Sequence, residues 1–234
     1  MSRSQLPLAL SPPRRLRFDN FVAGANRPLI ATLRHCPGDG EWYLLAGAAG
    51  CGKSHLALAL DHEWREQGHR VRYIPAGASG AAALLDPPGV GDSAPDCAIV
   101  DGLERLAFKP EAERALFNAL NGWRAARSTV LMTVTGTAEF DLPDLASRVG
   151  QAARLTLRPL EDKDLDALLE RLIEDFQLVP GRGLKKFLLR HGPRAPSGLT
   201  RLLDQINRRA QAERRVASVP LARQCLEVSS SGGD

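Results

Sequence analysis

The chain has 234 residues, 44% hydrophobic and 25% charged, with a formal net charge of +4, enough apolar material for one medium domain with a smaller appendage. No apolar run is long enough to span a bilayer, the Met-Ser-Arg-Ser start lacks the apolar core of a secretory signal, and Cys36, Cys51, Cys97 and Cys225 show neither Cys-x-x-Cys nor metal-ligand spacing. A membrane protein and a disulfide scaffold are thereby excluded, a cytoplasmic protein with reduced thiols is expected, and the positive balance favours polyanions such as nucleotides or DNA.

Residues 1–17, with Pro7, Pro12, Pro13 and a run of arginines, read as an extended arm. A short helix is expected from Asn26 to His35, then a turn over Pro37 to Gly40, then a buried strand from Trp42 to Leu45. Leu56, Leu60 and Trp64 recur at helical spacing within Ser54 to Gln67, and Gly68 stands where a helix C-terminal glycine belongs. Further strands are expected at Val71–Ile74, Ala98–Val100, Thr129–Thr135 and Arg154–Leu157, most separated by helical segments. Such alternation predicts an α/β domain with a parallel sheet covered on both faces. The Ala-, Gly- and Pro-rich piece from Pro75 to Pro95 reads as a small helix and a loop. After Pro159 the pattern is helical only, over Asp162–Phe176, Arg182–Arg190, Ser197–Arg214 and Pro220–Leu226. The expected organisation is an arm at 1–17, an α/β domain at 18–158, a helical domain at 159–228 and a disordered tail at 229–234.

Gly47-Ala48-Ala49-Gly50-Cys51-Gly52-Lys53-Ser54 satisfies the P-loop pattern, after an expected strand and before an expected helix. The glycines let backbone N–H groups close on phosphates, the helix N-terminus adds its dipole, Lys53 reaches the outer phosphates and Ser54 can ligate Mg²⁺. ATP or ADP with Mg²⁺ is the implied ligand, with His55 following the loop as a further contact. Such a site also needs an acid on a neighbouring strand, and Cys97-Ala98-Ile99-Val100-Asp101 is an apolar strand ending in one. The position after Asp101 is Gly102, which cannot polarise a water, so hydrolysis in cis is expected to be slow. Glu104 is three residues beyond that acid and reads as a surface side chain.

Several segments resemble the DnaA-related AAA+ family, together spanning Gln5 to about Glu227. Phe18-Asp19-Asn20-Phe21-Val22-Ala23-Gly24-Ala25-Asn26 is similar to the stretch that packs near the adenine in the bacterial initiator DnaA, which makes Phe21 and Val22 cofactor candidates. Leu142-Pro143-Asp144-Leu145-Ala146-Ser147-Arg148 resembles the segment that carries the family's arginine finger, implying that Arg148 acts in trans on a partner's nucleotide. Fingers of this kind are worth about 10³–10⁵ in rate. Thr133 or Thr135 resembles the polar position that senses the γ-phosphate, with a buried strand threonine as the alternative. The lid arginine of the family is matched by Ser197, with Arg194 and Arg201 a turn to either side. Gln5-Leu6-Pro7-Leu8-Ala9-Leu10 is similar to the hexapeptide that binds the sliding clamp, with Gln5, Leu6, Leu8 and Leu10 at the matching places.

The resemblance implies an AAA+ core with a five-stranded parallel sheet followed by a small helical lid, without the flanking domains of the initiator. It implies a negative regulator of replication initiation whose partners are DnaA and the sliding clamp. Homo-oligomers are compatible with it. A helicase-loader type of stand-alone ATPase is the alternative, against which Gly102 argues. Weak DNA contact is a secondary expectation from Arg201, Arg208, Arg209, Arg214 and Arg215, which alternate with Asp204 and Glu213.

Overall fold

A computed structural model describes residues 16–35, 40–76, 84 and 94–231. It divides into two compact units, one from Leu16 to Pro159 and one beginning at Leu160.

In the first unit, helix α1 (Arg27–Arg34) precedes β1 (Trp42–Gly47), α2 (Lys53–Glu66), β2 (Val71–Pro75), β3 (Cys97–Asp101), α3 (Pro110–Ala125), β4 (Thr129–Thr135), α4 (Pro143–Gly150) and β5 (Ala153–Thr156). The strands form one parallel sheet in the order β2-β3-β4-β1-β5. Alternation with period two divides its side chains between two cores. Trp42, Leu44, Ala98, Val100, Val130 and Met132 face α3 and α4, where Leu116, Leu120, Trp123 and Leu145 are buried. Tyr43, Leu45, Ile99 and Leu131 face α1 and α2, against Leu33, Leu56, Leu60 and Trp64. A strand covered on both faces has little use for polar residues, which is why these runs are apolar almost throughout.

The strand and helix bounds fall within two residues of the sequence expectation, except in the last helix. The expected Arg154–Leu157 strand is Ala153–Thr156, after which buried Leu157 still donates its N–H to Ala46 O at 2.8 Å. Most of the Pro75–Pro95 piece lies outside the described residues.

The second unit contains α5 (Asp162–Asp175), α6 (Leu184–His191), α7 (Pro196–Ala212) and α8 (Val219–Ser231). Leu168, Leu169, Leu172, Leu184, Leu188, Leu203, Ile206, Leu221 and Ala222 are buried among them. Gly183, at φ +80, enters α6 two residues after the expected start, and Arg214, at φ +51, lies past the end of α7 at Ala212 in a left-handed conformation that stops the helix. Helix α8 runs to Ser231, well past the expected Leu226 and three residues into the stretch read as a tail.

Candidate nucleotide-binding site

The carboxyl edge of a parallel sheet is where α/β folds bind ligands, and here that edge gathers Gly47, Asp101 and Thr133. Gly47 ends β1 and pairs with Thr135 of β4, while Asp101 ends β3 and pairs with Thr133. The loop leaving β1 uses glycine where nothing else fits. A Cβ on Gly47 would stand 2.9 Å from Cys51 Sγ. Gly50 and Gly52 have φ of +71 and +114, a region that L side chains rarely adopt. Gly52 then opens α2 at Lys53, so the free N–H groups and positive dipole end of a fourteen-residue helix face the loop.

Lys53 is 7% exposed, and its ammonium donates to Gly47 O and Ala48 O, both at 2.9 Å. The cation is thus folded across the loop, held by carbonyls that a phosphate can replace. Ser54 is exposed in the first turn of α2. Phe21 lies over the same loop: its Cε2 is 3.1 Å from where a Gly52 Cβ would be, and its ring meets His55 edge-on at 5.1 Å between centroids. His55 Nε2 is 3.0 Å from Arg17 O and 3.1 Å from Asn20 Oδ1, which ties α2 to the segment carrying Phe21 and half-buried Val22. Buried Asn26 closes that segment onto the end of β5, donating to Arg158 O at 3.0 Å and accepting from Arg158 N at 2.8 Å.

Asp101 is 8% exposed and both carboxylate oxygens accept hydroxyl donors. Thr133 Oγ1 donates to Oδ1 at 2.6 Å and accepts the Gly102 N–H at 2.8 Å. Tyr73 donates to Oδ2 at 2.9 Å. Burial, then the adjacent Asp101 charge and the hydrogen bond itself, push the Tyr73 phenol far above its ordinary range and keep it protonated. The Thr133 hydroxyl is therefore spent inside the sheet, where it fixes the acid. Tyr73 was not singled out from the sequence, because a tyrosine in an apolar strand carries no spacing signal.

A hydroxyl at Ser54 and a carboxylate at Asp101 are hard oxygen donors of the kind Mg²⁺ takes. No group of three or more His, Cys, Asp or Glu side chains among the described residues could hold a metal by itself. That donor set fits Mg²⁺ held mainly by phosphate oxygens and water, whose shell Ser54 and Asp101 would complement.

Gly102 turns out of β3 at φ +95, and Glu104, in the 3-10 turn Leu103–Arg105, accepts the Thr135 N–H at 3.1 Å. Glu104 is thus a tether for the end of β4. A second acid missed from the sequence is Glu113, 1% exposed in the first turn of α3. Its Oε1 accepts from Phe108 N at 2.8 Å and Asp141 N at 3.2 Å, and its Oε2 from Leu142 N at 2.8 Å. Leu142 caps α4, the helix that carries half-buried Arg148. The Arg148 side chain has no ion pair or hydrogen bond among the described residues.

In the second unit, Ser197 lies in the first turn of α7, Arg194 pairs with Asp162 at 2.8 Å, and Arg208 and Arg215 pair with Asp204 and Glu213. Of the basic residues on and just after α7, Arg208 and Arg215 are therefore offset by neighbouring acids. The hexapeptide residues Gln5, Leu6, Leu8 and Leu10 lie outside the described residues. Cys51, Cys97 and Cys225 are buried and in the thiol form. No helix among the described residues is long and apolar enough to cross a membrane.

The P-loop after β1, the acid at the end of β3 and the strand order β2-β3-β4-β1-β5 give the chain an AAA+ type of fold. Within that class the fold is DnaA-like. Domain III of the Thermotoga maritima replication initiation protein DnaA superposes with a TM-score of 0.78 at 16% identity, over 92% of this chain and 97% of that one. AMPPCP-bound DnaA from Aquifex aeolicus gives 0.65 at 17% identity, over 86% of this chain and 66% of that one. The Thermotoga maritima RuvB Holliday junction branch migration motor gives 0.62 at 16%, over 92% and 72%. No protein-family model matches the chain.

Proposed function

We propose that this chain is a nucleotide-binding regulator of replication initiation, acting on the initiator DnaA as the regulatory inactivator Hda does. In this reading ADP or ATP sits on the P-loop from Gly47 to Ser54, with Phe21, Val22 and His55 on the base side. Lys53 exchanges its two carbonyl partners for phosphate oxygens, and Asp101 with Ser54 holds the Mg²⁺ side. Mg²⁺, when bound, neutralises phosphate charge and orients the phosphates. Bound nucleotide keeps the chain competent for its partner.

The observation that carries the reading is the fate of the acids near Asp101. Gly102 has no side chain to activate water, and Glu104 is turned to the Thr135 N–H. The parts for binding nucleotide are present while those for hydrolysing it in cis are depleted. Arg148, without a partner among the described residues, is the part left to act in trans. A guanidinium presented across an interface to a γ-phosphate stabilises charge that develops in the transition state. Residues Gln5 to Leu10 tether the chain to the sliding clamp, inserting alternate leucines into an apolar groove. That tether confines the activity to newly replicated DNA.

The test is the rate at which ATP already bound to the cognate initiator is hydrolysed in the presence of DNA-loaded clamp, with wild type or Arg148→Ala added. Acceleration by wild type and at least a hundredfold less by the variant is the expected result, within the range of about 10³–10⁵ attributed to such fingers. Equal rates with and without wild type would reject the regulatory role. Rapid turnover by the chain alone would favour a stand-alone ATPase.

A further inference from the structure

Tyr73 belongs to no motif, yet it touches the acid on which the metal side of the site depends. It lies on β2 opposite Ile99 of β3, so its side chain shares the sheet face of Ile99 and Asp101, the face covered by the P-loop helix α2. Reaching along that face, its hydroxyl meets Asp101 Oδ2 at 2.9 Å. The other oxygen is committed within the sheet. Thr133, fully buried, donates to Oδ1 and is itself fixed by the Gly102 N–H. The bond to Oδ1 is buried, whereas the bond to Oδ2 is only partly so. Oδ2 is thus the oxygen the sheet leaves accessible, and Tyr73 already occupies one of its lone pairs.

We propose that Tyr73 is a gate on the metal side of the nucleotide site: its hydroxyl competes with metal-bound water for Asp101 Oδ2, so that Mg²⁺ adds less to nucleotide affinity than the carboxylate would allow with that oxygen free. The proposal rests on reading Asp101 as the metal-side acid. It deepens that reading by weakening the metal side of the site relative to the loop and Lys53. Removing the hydroxyl while keeping the ring frees the oxygen and leaves the apolar packing of β2 in place.

The experiment measures the affinity of a fluorescent ATP analogue with Mg²⁺ and with EDTA for wild type, Tyr73→Phe and Asp101→Asn. The ratio of the two dissociation constants is the readout. Tyr73→Phe should raise the Mg²⁺-dependent ratio about tenfold, in line with a hydrogen bond to a charged acceptor, with the EDTA value unchanged. Asp101→Asn should bring the ratio close to one. Mn²⁺ binding followed by electron paramagnetic resonance, with nucleotide present, should strengthen in Tyr73→Phe by the same factor. A ratio in Tyr73→Phe that stays within twofold of wild type or falls, while Asp101→Asn lowers it, overturns the gate and leaves the role of Asp101 standing. A ratio untouched by Asp101→Asn overturns both.

Discussion

Glu113→Ala removes one side chain and strands three backbone donors. Phe108, Asp141 and Leu142 N–H all point at its carboxylate, at 2.8, 3.2 and 2.8 Å. A hydrogen bond to a charged acceptor contributes about 1.5–3 kcal/mol when its partner stays buried. These three N–H groups lie in loops that water can reach after relaxation, so about 1 kcal/mol each is the better figure, or about 3 kcal/mol in all. That is a large part of the roughly 5–15 kcal/mol available to a domain. Trp42, Trp64 and Trp123, the three tryptophans of the chain, are all in the Leu16–Pro159 unit, so their fluorescence during urea unfolding follows that unit. With a slope of about 2 kcal/mol per molar urea, the midpoint should fall by about 1.5 M. Glu113→Gln keeps one acceptor oxygen and should lose about half as much. The amide of Leu142 should exchange faster in both variants, since the acid that accepts its N–H is gone or weakened. A fall of less than 0.5 M for Glu113→Ala, with Leu142 exchange unchanged, would refute the assignment of Glu113 as the anchor of the two loops.

Gly52→Ala forces a Cβ into a backbone at φ +114 and to within 3.1 Å of Phe21; the strain of about 1–3 kcal/mol should lower the thermal midpoint and abolish nucleotide affinity, and a variant that binds nucleotide like wild type would contradict the loop geometry. The Asp96 carboxyl is held below its usual range first by the Arg70 side-chain hydrogen bond and then by the Arg70 backbone N–H. Its stabilising contribution is therefore complete above about pH 4 and is lost as pH falls through the lower folded value. Asp96→Asn should be less stable than wild type at neutral pH, with the difference closing toward pH 2 in acid-unfolding curves.

The positions legible in the sequence are those whose chemistry demands a residue type at a fixed spacing. The P-loop is one, because φ of +71 and +114 at Gly50 and Gly52 exclude most other residues. Asp101 is another, since a carboxylate at the end of the run Cys97 to Val100 has no packing reason to be there. The strands were legible because burial on both faces suppresses polar residues. Tyr73 and Glu113 were hidden for the opposite reason. Tyr73 meets Asp101 across two strands, and Glu113 meets Asp141 and Leu142 from 28 and 29 residues away. Local pattern carries no trace of such pairs. A glutamate in the first turn of a helix is already favoured by the helix dipole, so Glu113 reads as ordinary until its burial is seen. Helix α8 outran expectation because the serines after Val228 suggest a tail by composition, although nothing in them forbids helical backbone.

Glu104 and Glu113 also explain why one short stretch can connect the acid edge of the sheet to Arg148. Both lie in the connection that leaves β3 after Asp101. Glu104 holds Thr135, where β4 ends, and Glu113 holds Asp141 and Leu142, where α4 begins. The segment from Thr135 to Leu142 is therefore bonded at each end to residues that follow Asp101, over a distance of seven residues. Carboxylates serve this purpose better than amides, because all the groups to be held are N–H donors and an ionised acid only accepts. For Glu104 the consequence is that one of its oxygens is taken up by the Thr135 N–H. Glu113 thus fixes the start of the helix that carries Arg148, while Glu104, the acid nearest Asp101 in the chain, is committed to the end of β4, an arrangement that accords with the proposed division of labour.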